Sequence, residues 1–353
     1  MKIFVLTADL DVKNGWGRYS ADLIGALGRH GAETVFIRGV LPHPLTYRTY
    51  FLAFWYAWKL RPYAKNCDVI HALIEPYSCI AQWLSLFTGK RYFITAHGTW
   101  AVLPFTFSRA KRYLHKKSFE QAEKVICVSE YTRRRLFALG LANLHVINNG
   151  INFEKFHDPA LSLGGREDSI VTVGALNPAK GYDVSLAAFA KARAELKSLR
   201  YYIVGNRGNA AYFAALEQQA ARLGVREDVI FQENLSHEEL VKLYRKAKLF
   251  MLPSLTLDSD FEGFGLVYLE AGACGLPVIG SLDSGAEDAI INGETGLLVP
   301  QNDPHAVAEA ILKIMKETGL AERMAESGVR WAKAHDWSAV VQSYVQAYAL
   351  KSR

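Results

Sequence analysis

Short apolar runs rich in β-branched residues alternate with longer amphipathic stretches from one end of the chain to the other. In the front half the runs are 3–6, 34–37, 69–73, 92–96, 125–128 and 145–147; in the back half they are 170–173, 201–204, 229–231, 249–252, 278–279 and 297–299. Runs this short and this continuously apolar predict strands buried on both faces. The stretches between them, such as 18–29 and 132–139, carry helical periodicity. Ser236-His237-Glu238-Glu239 is a capping box, in which the serine accepts from the N3 amide and the glutamate reaches back to the cap. Strand–helix alternation of this kind predicts parallel sheets covered by helices on both faces. Asn148-Asn149-Gly150 marks a turn, and 158–168, rich in Pro, Gly and charge, reads as an interdomain linker. Two tandem α/β units imply a cleft, with ligands beyond the carboxyl ends of the strands. The aromatic, uncharged run 49–58 reads as a buried helix, because the next strand follows closely; its alternative is a seat on an anionic membrane.

Composition narrows the class. With 353 residues the chain suits two domains, and 50% hydrophobic against 22% charged residues excludes a disordered or fibrous protein. Four scattered cysteines (Cys67, Cys79, Cys127, Cys274) form no C-x-x-C pair, so neither a zinc framework nor a disulfide scaffold is expected, and a reducing compartment fits. The net charge of +6 is uneven: residues 1–150 carry 20 Lys+Arg against 9 Asp+Glu, a surplus of +11, and the remainder carries 21 against 26. A basic front half calls for an anionic partner: an acidic glycan, a lipid phosphate, a membrane surface or nucleic acid. None of the recognised nucleic-acid modules occurs, so nucleic acid is not expected. The run 49–58 is half as long as a spanning helix needs, and Met1-Lys2 leads directly into a strand-like IFVLT with no signal-peptide pattern. The expected location is the cytoplasm, with peripheral contact at the inner face of a membrane as an extension.

Four segments carry candidate chemistry. In Glu262-Gly263-Phe264-Gly265-Leu266 a carboxylate precedes a glycine turn and a helical pattern, leaving the first helix amides uncovered for a phosphate. Glu270 follows eight residues after Glu262, about 12 Å along an axis if the interval were all helical, too far for the carboxylate pair of a glycosidase. Two separated acids beside an anion pocket suit hydroxyls at different ends of one ligand; the alternative is that both are solvated or cap loops. Lys180, between a strand-ending glycine and the next helix, suits a diphosphate as a point charge, or is a solvated helix-start lysine. Asn14-Gly15-Trp16-Gly17-Arg18 opens helix one without the third glycine of a dinucleotide fingerprint. His97, in TAHG at 95–98, ends a strand and faces the cleft, or is a hydrogen-bonded structural histidine.

Together these segments resemble the retaining glycosyltransferases of family four, which have the GT-B architecture. The resemblance runs through GWGRY, TAHG, VSEYT at 128–132, NNGINFEKF at 148–156, VGALNPAKG at 173–181, FEGFGLVYLEAGACGLPVI at 261–279 and SGAEDAIINGETGLLVPQNDP at 284–304. It implies an α/β protein of two Rossmann-like domains facing across a cleft: 1–157 for the acceptor, a linker at 158–168, 169–335 for a nucleotide-diphospho-sugar donor, and 336–353 as a C-terminal helix returning to the first domain. By position Glu270 is implied to hold the ribose hydroxyls and Glu262 the donor sugar, with His97 against that sugar. Gly263, Phe264, Gly265 and Leu266 are implied to present amides, Lys180 and Gly17 to approach the diphosphate, and Asn234 and Leu235 to line the base pocket. Glu262, His97 and Lys180 are the catalytic candidates. Trp16, Arg18, Thr99, Trp100 and Arg109 are the expected acceptor contacts. Two departures from the family pattern stand out: Ala175 occupies the position of a usual arginine, for which Arg207 is a candidate substitute, and Glu233 replaces a common glycine.

The implied reaction is transfer of the sugar to a hydroxyl of a glycan or lipid-linked acceptor. Helix-end amides and Lys180 stabilise the leaving diphosphate, with no cofactor and no metal ion required. Asp258-Ser259-Asp260 has the form of a metal-binding D-x-D, but reads as a solvated acidic loop. Two rivals remain: a sugar-nucleotide epimerase of the same fold, and a non-catalytic nucleotide-binding scaffold. The basic stretch 105–119, with Arg109, Lys111, Arg112, His115, Lys116 and Lys117, is left open between a membrane seat and a solvated acceptor loop.

Overall fold

The computed structural model describes residues 1–8, 10, 15–37, 52–158 and 165–350. The chain divides into two compact units, Met1–Gly150 with Asp336–Arg353, and Ile151–His335.

The first unit is built on six parallel strands, β1 (Lys2–Leu6), β2 (Glu33–Val35), β3 (Val69–Ala72), β4 (Arg91–Ala96), β5 (Lys124–Cys127) and β6 (Leu144–Val146), in the order β2-β1-β3-β4-β5-β6. The second has β7 (Ser169–Val173), β8 (Arg200–Val204), β9 (Val229–Gln232), β10 (Leu249–Met251), β11 (Val278–Ser281) and β12 (Gly296–Val299), in the order β12-β11-β10-β7-β8-β9, again all parallel. Each strand coincides with one of the apolar runs, because parallel strands covered on both faces need apolar residues at successive positions. In both sheets the strand order reverses once, between β1 and β3 and between β7 and β10. Crevices open beyond the carboxyl ends of strands at such reversals. Ser236 and Glu239 form the expected reciprocal cap on helix His237–Lys246. Among the described residues, no helix is long and apolar enough to cross a membrane, and the four cysteines are free and buried.

The last helix, Trp337–Ala349, belongs to the first unit. Trp337, Val341, Tyr344, Ala347 and Tyr348 are buried in one core with Tyr19, Leu23 and Phe93. Its two tyrosine hydroxyls are matched as well: Tyr344 Oη lies 2.8 Å from Tyr19 Oη, which lies 2.9 Å from Thr95 Oγ1, and His71 bridges Tyr348 Oη at 2.7 Å and Thr95 Oγ1 at 2.9 Å. Buried hydroxyls and imidazole so joined avoid the cost of unmet hydrogen bonds. Trp337→Ala is expected to destabilise the first unit by about 3–5 kcal/mol through the cavity it leaves. Urea unfolding followed by fluorescence checks this, and a loss below about 1 kcal/mol would mean the indole is not part of the core.

Three sequence readings are corrected. The chain passes between units at Gly150/Ile151 rather than within 158–168. Ile151 already donates to His335 O at 2.9 Å, and Phe153 and Phe156 are buried in the second unit; of the range 158–168, residues 159–164 lie outside the described residues. The run 49–58 is not a buried helix. Residues 49–51 lie outside the described residues, and in helix Ala53–Ala64 the buried positions are Ala53, Ala57, Leu60 and Ala64, while Phe54, Trp55 and Trp58 are 50%, 46% and 57% exposed. Spacing of four, three and four places the small residues in one stripe against helix Ser78–Thr88, and the rings project outward. The basic stretch likewise is helical, Arg109–Glu120, with His115, Ser118 and Phe119 inward and Arg109 and Arg112 exposed, not an acceptor loop.

Candidate active site

In the second unit the loops after β7 and β10 meet at the strand reversal. Leu255 N donates to Ala179 O at 2.7 Å, and a Cβ on Gly181 (φ +65°) would stand 2.0 Å from Pro253 O, so glycine is required for this approach. The consequence is chemical. Lys180 Nζ is brought 2.6 Å from Glu262 Oε2, with Ser254 Oγ 3.3 Å from the same oxygen. The side chains are 25% and 11% exposed, so the pair is sheltered yet reachable.

From Glu262 the chain enters the Gly263-Phe264-Gly265 turn. Glu262 O accepts from Gly285 N at 2.8 Å, Phe264 is buried, and Gly265 at φ +85° leads into helix Leu266–Ala273. Tyr268 locks the helix start by donating from Oη to Leu252 O at 2.6 Å. Leu266 and Val267 remain partly exposed. First-turn helix amides lack intrahelical acceptors and sit at the positive end of the helix dipole, an arrangement suited to an anion. Glu270 lies one turn further on and is buried. The interval from Glu262 to Glu270 is thus turn and then helix, which the spacing alone does not decide.

Arg207 follows Asn206, whose carbonyl accepts from Leu176 N at 3.3 Å in the loop after β7, but its side chain turns toward β9. Its guanidinium stacks 4.4 Å from the Phe213 ring centre, donates to Phe231 O at 3.2 Å and lies 3.8 Å from Glu233. All three partners are on the β8–β9 side, so the two departures explain one another: Glu233 balances Arg207. Asn234, exposed at φ +58°, turns the chain there, and Leu235 is half-buried beside it; asparagine tolerates this left-handed geometry. Ala175 is exposed in the loop after β7. Asp258 and Asp260 form a tight turn closed by Leu257 and Asp260 backbone bonds of 2.8 and 2.9 Å. Among the described residues, no three His, Cys, Asp or Glu gather to hold a metal ion.

In the first unit a second group forms at the carboxyl ends of β1, β3 and β4. Trp16 and Trp100 meet edge to face at 5.9 Å, and the Tyr19 ring stands edge-on to His97 at 4.5 Å. Gly17 is buried and Arg18 half-buried in the first turn of helix Gly15–Arg29, and Asn14 lies outside the described residues. Thr99 opens helix Thr99–Val102, whereas Arg109 is carried away on the exposed first turn of its own helix. His97 Nε2 is 2.8 Å from Leu73 O; a carbonyl only accepts, so Nε2 holds the proton and Nδ1 keeps its lone pair. Sequence reasoning misses Glu75. Its buried carboxylate accepts from His97 N and props the turn in which Gly98 adopts φ +132°. The only signal is an acid inside the apolar stretch HALIEPY.

Burial sets the charge states. It pushes His71 down to about 3 and His97 and His115 down to about 4, and pushes Glu75 up to about 7 against the opposing pull of backbone amides. A histidine kept neutral in the fold contributes stability above its unfolded pKa of 6.5 that is lost as pH falls. Glu75 acts oppositely, since the folded state binds its proton first between about 7 and 4.5. Three histidines outweigh one carboxyl, each pH unit between the folded and unfolded values being worth about 1.4 kcal/mol. The urea midpoint of the first unit is therefore expected to fall from pH 6.5 to pH 4; a flat or rising midpoint would contradict these charge states.

Comparison with known proteins gives the geometry its context. The family described as Glycosyl transferases group 1 matches residues 154–331, and Glycosyltransferase Family 4 matches residues 14–155. A GDP-mannose-dependent alpha-(1-6)-phosphatidylinositol monomannoside mannosyltransferase of Mycolicibacterium smegmatis is 31% identical over 260 residues, 69% of this chain and 66% of the relative. The chain thus spans about two thirds of that relative's length. Among solved structures, sucrose-phosphate synthase from Thermosynechococcus elongatus superposes with a TM-score of 0.81 at 23% identity, covering 99% of this chain and 98% of that one. HepE of Anabaena, solved with UDP and glucose, superposes at 0.79 and 18% identity over 98% of both chains. With two doubly wound parallel sheets, matches along both halves and neighbours of the same architecture, the chain belongs to the family 4 glycosyltransferases of GT-B fold.

Proposed function

We propose that this glycosyltransferase moves a sugar from a nucleotide-diphospho-sugar to a hydroxyl of a glycan or lipid-linked acceptor, with retention at the anomeric carbon and without a metal ion. The observation that carries the proposal is the Lys180–Glu262 pair at 2.6 Å, set beside the amide-presenting turn into helix Leu266–Ala273. Breaking the anomeric C–O bond places negative charge on the diphosphate and positive charge on the sugar. Lys180 and the helix-end dipoles oppose the first, and the Glu262 carboxylate sits where it can hold sugar hydroxyls. Glu270 is assigned to the ribose. Arg207, Asn234 and Leu235 are assigned to the base side, which moves Arg207 away from the diphosphate. His97, with its Nδ1 lone pair free to accept, is assigned to a donor-sugar hydroxyl, and Trp16, Arg18, Thr99 and Trp100 to the acceptor. In this scheme the acceptor hydroxyl gives its proton to the departing phosphate as it attacks on the same face, so no protein nucleophile is needed.

The mycobacterial relative is named for GDP-mannose and a phosphatidylinositol mannoside, which supports a lipid-linked acceptor. The free buried cysteines are in keeping with a cytoplasmic setting. The test begins with thermal unfolding in the presence of UDP, GDP and ADP, since a ligand at 100 times its Kd adds about 2.7 kcal/mol. One of them should raise the midpoint, and its sugar conjugate should then yield a product of unchanged anomeric configuration in the presence of EDTA. An inverted product, or turnover that EDTA abolishes and a divalent ion restores, would overturn the mechanism. Silence toward every nucleotide would overturn the donor assignment.

A further inference from the structure

The outward face of helix Ala53–Ala64 presents Phe54, Trp55 and Trp58, three large rings exposed by about half. Such a cluster is unusual on a surface that meets only water. It continues onto the neighbouring helix Ser78–Thr88: Phe54 meets Trp83 at 5.2 Å and Phe87 at 5.3 Å, Trp58 meets Phe87 at 6.0 Å, and Leu86 beside them is 65% exposed. The two helices together form one apolar ridge.

The charged residues of the two helices are all cations. Neither helix contains an aspartate or glutamate, whereas Lys59, Arg61 and Lys65 are interleaved with the rings and exposed. Lys59 Nζ rests 3.6 Å from the Trp55 ring centre, and the Arg61 guanidinium lies 5.7 Å from that of Trp58. A protein–protein interface is depleted of lysine, which here stands directly against an exposed ring. A bilayer surface wants both together: rings at the level of the headgroups and cations among anionic phosphates. Helix Ala53–Ala64 buries only small residues and one leucine on its inner side, so the large rings are held outward by the packing itself.

We infer that the ridge of helices Ala53–Ala64 and Ser78–Thr88 is a docking surface for an anionic lipid bilayer, on which the protein binds reversibly with helix Ala53–Ala64 lying in the plane of the headgroups. This goes beyond the transfer reaction and needs no donor or acceptor. Each contribution alone is weak, so the binding depends on lipid charge and on salt.

The test uses the full chain with vesicles of phosphatidylcholine containing about 30% phosphatidylglycerol, against phosphatidylcholine alone. Co-sedimentation at low salt is expected on the anionic vesicles only, with tryptophan emission moving to shorter wavelength and binding lost at high salt. Trp55→Ser with Trp58→Ser, and separately Lys59→Glu with Arg61→Glu, should each lower the bound fraction by about tenfold or more. Stabilisation by a nucleoside diphosphate should be retained in both, which separates failure of docking from failure of the donor site. The inference is overturned if the unaltered protein ignores anionic vesicles, if both variants bind as it does, or if the tryptophan variant instead dissolves a concentration-dependent dimer that binds no lipid.

Discussion

Lys180→Ala is expected to reduce transfer by two to three orders of magnitude while the protein stays folded. Removing one group that stabilises developing oxyanion charge costs about 3–4 kcal/mol of barrier, and Lys180 is the cation the fold delivers to the turn before helix Leu266–Ala273. The stability cost is smaller. Glu262 loses its partner but keeps Ser254 Oγ at 3.3 Å and some access to water, so a change of about 1–3 kcal/mol is expected. Glu262→Ala should give a comparable kinetic loss, for the complementary reason that Lys180 then has no carboxylate to hold its ammonium in place. Because the two groups touch, their effects should not add: the double variant should be little worse than either single one. Initial rates with saturating donor, alongside thermal midpoints, decide the matter. Near-normal turnover in Lys180→Ala would remove this lysine from the reaction.

What the sequence shows of this arrangement is uneven, for physical reasons. Parallel strands announce themselves through unbroken β-branched runs, and β1 to β12 all lie on such runs. The glycines and acids of the 262–270 segment are likewise local, within reach of a motif. The Lys180–Glu262 contact is not, because 82 residues separate the partners and only the folding of the β7 and β10 loops onto one another joins them. Helix Ala53–Ala64 misleads by composition: its crowded rings look made for a core, yet burial follows the stripe of Ala53, Ala57, Leu60 and Ala64. That spacing is present in the sequence and outweighs the bulk of the rings. Glu75 and the Tyr19–Thr95–His71–Tyr348 chain stay hidden because a buried polar residue is identified by its partners, and these come from β3, β4 and the two ends of the first unit. Gly285 is hidden for the same reason. Its importance lies wholly in what it touches.

Gly285→Ala is expected to damage donor binding more than its size suggests. The residue has φ −66° and ψ −9°, a conformation any amino acid adopts, so a methyl group introduces no backbone strain. The obstacle is contact: a Cβ there would stand 2.2 Å from the Gly263 carbonyl carbon and oxygen and 2.6 Å from Phe264 N. Backbone atoms cannot swing aside as a side-chain tip does. The 262–265 turn must move by about an ångström or more, against the bond from Gly285 N to Glu262 O that ties it down at 2.8 Å. Overpacking of this kind costs about 1–3 kcal/mol of stability. Displacing Glu262 and the first amides of helix Leu266–Ala273 together should lower kcat/KM by about a hundredfold, as misplacements of an ångström do. Gly28→Ala supplies the control: Gly28 lies inside helix Gly15–Arg29, and, its own helix backbone and chain neighbours aside, no atom of the described residues comes within 4 Å of where its methyl group would stand. That variant should gain about 0.5–1 kcal/mol and bind nucleotide normally. If Gly285→Ala instead keeps full nucleotide affinity and turnover, the turn after Glu262 is not where the phosphates rest, and the anion site must be sought at another loop of the second unit.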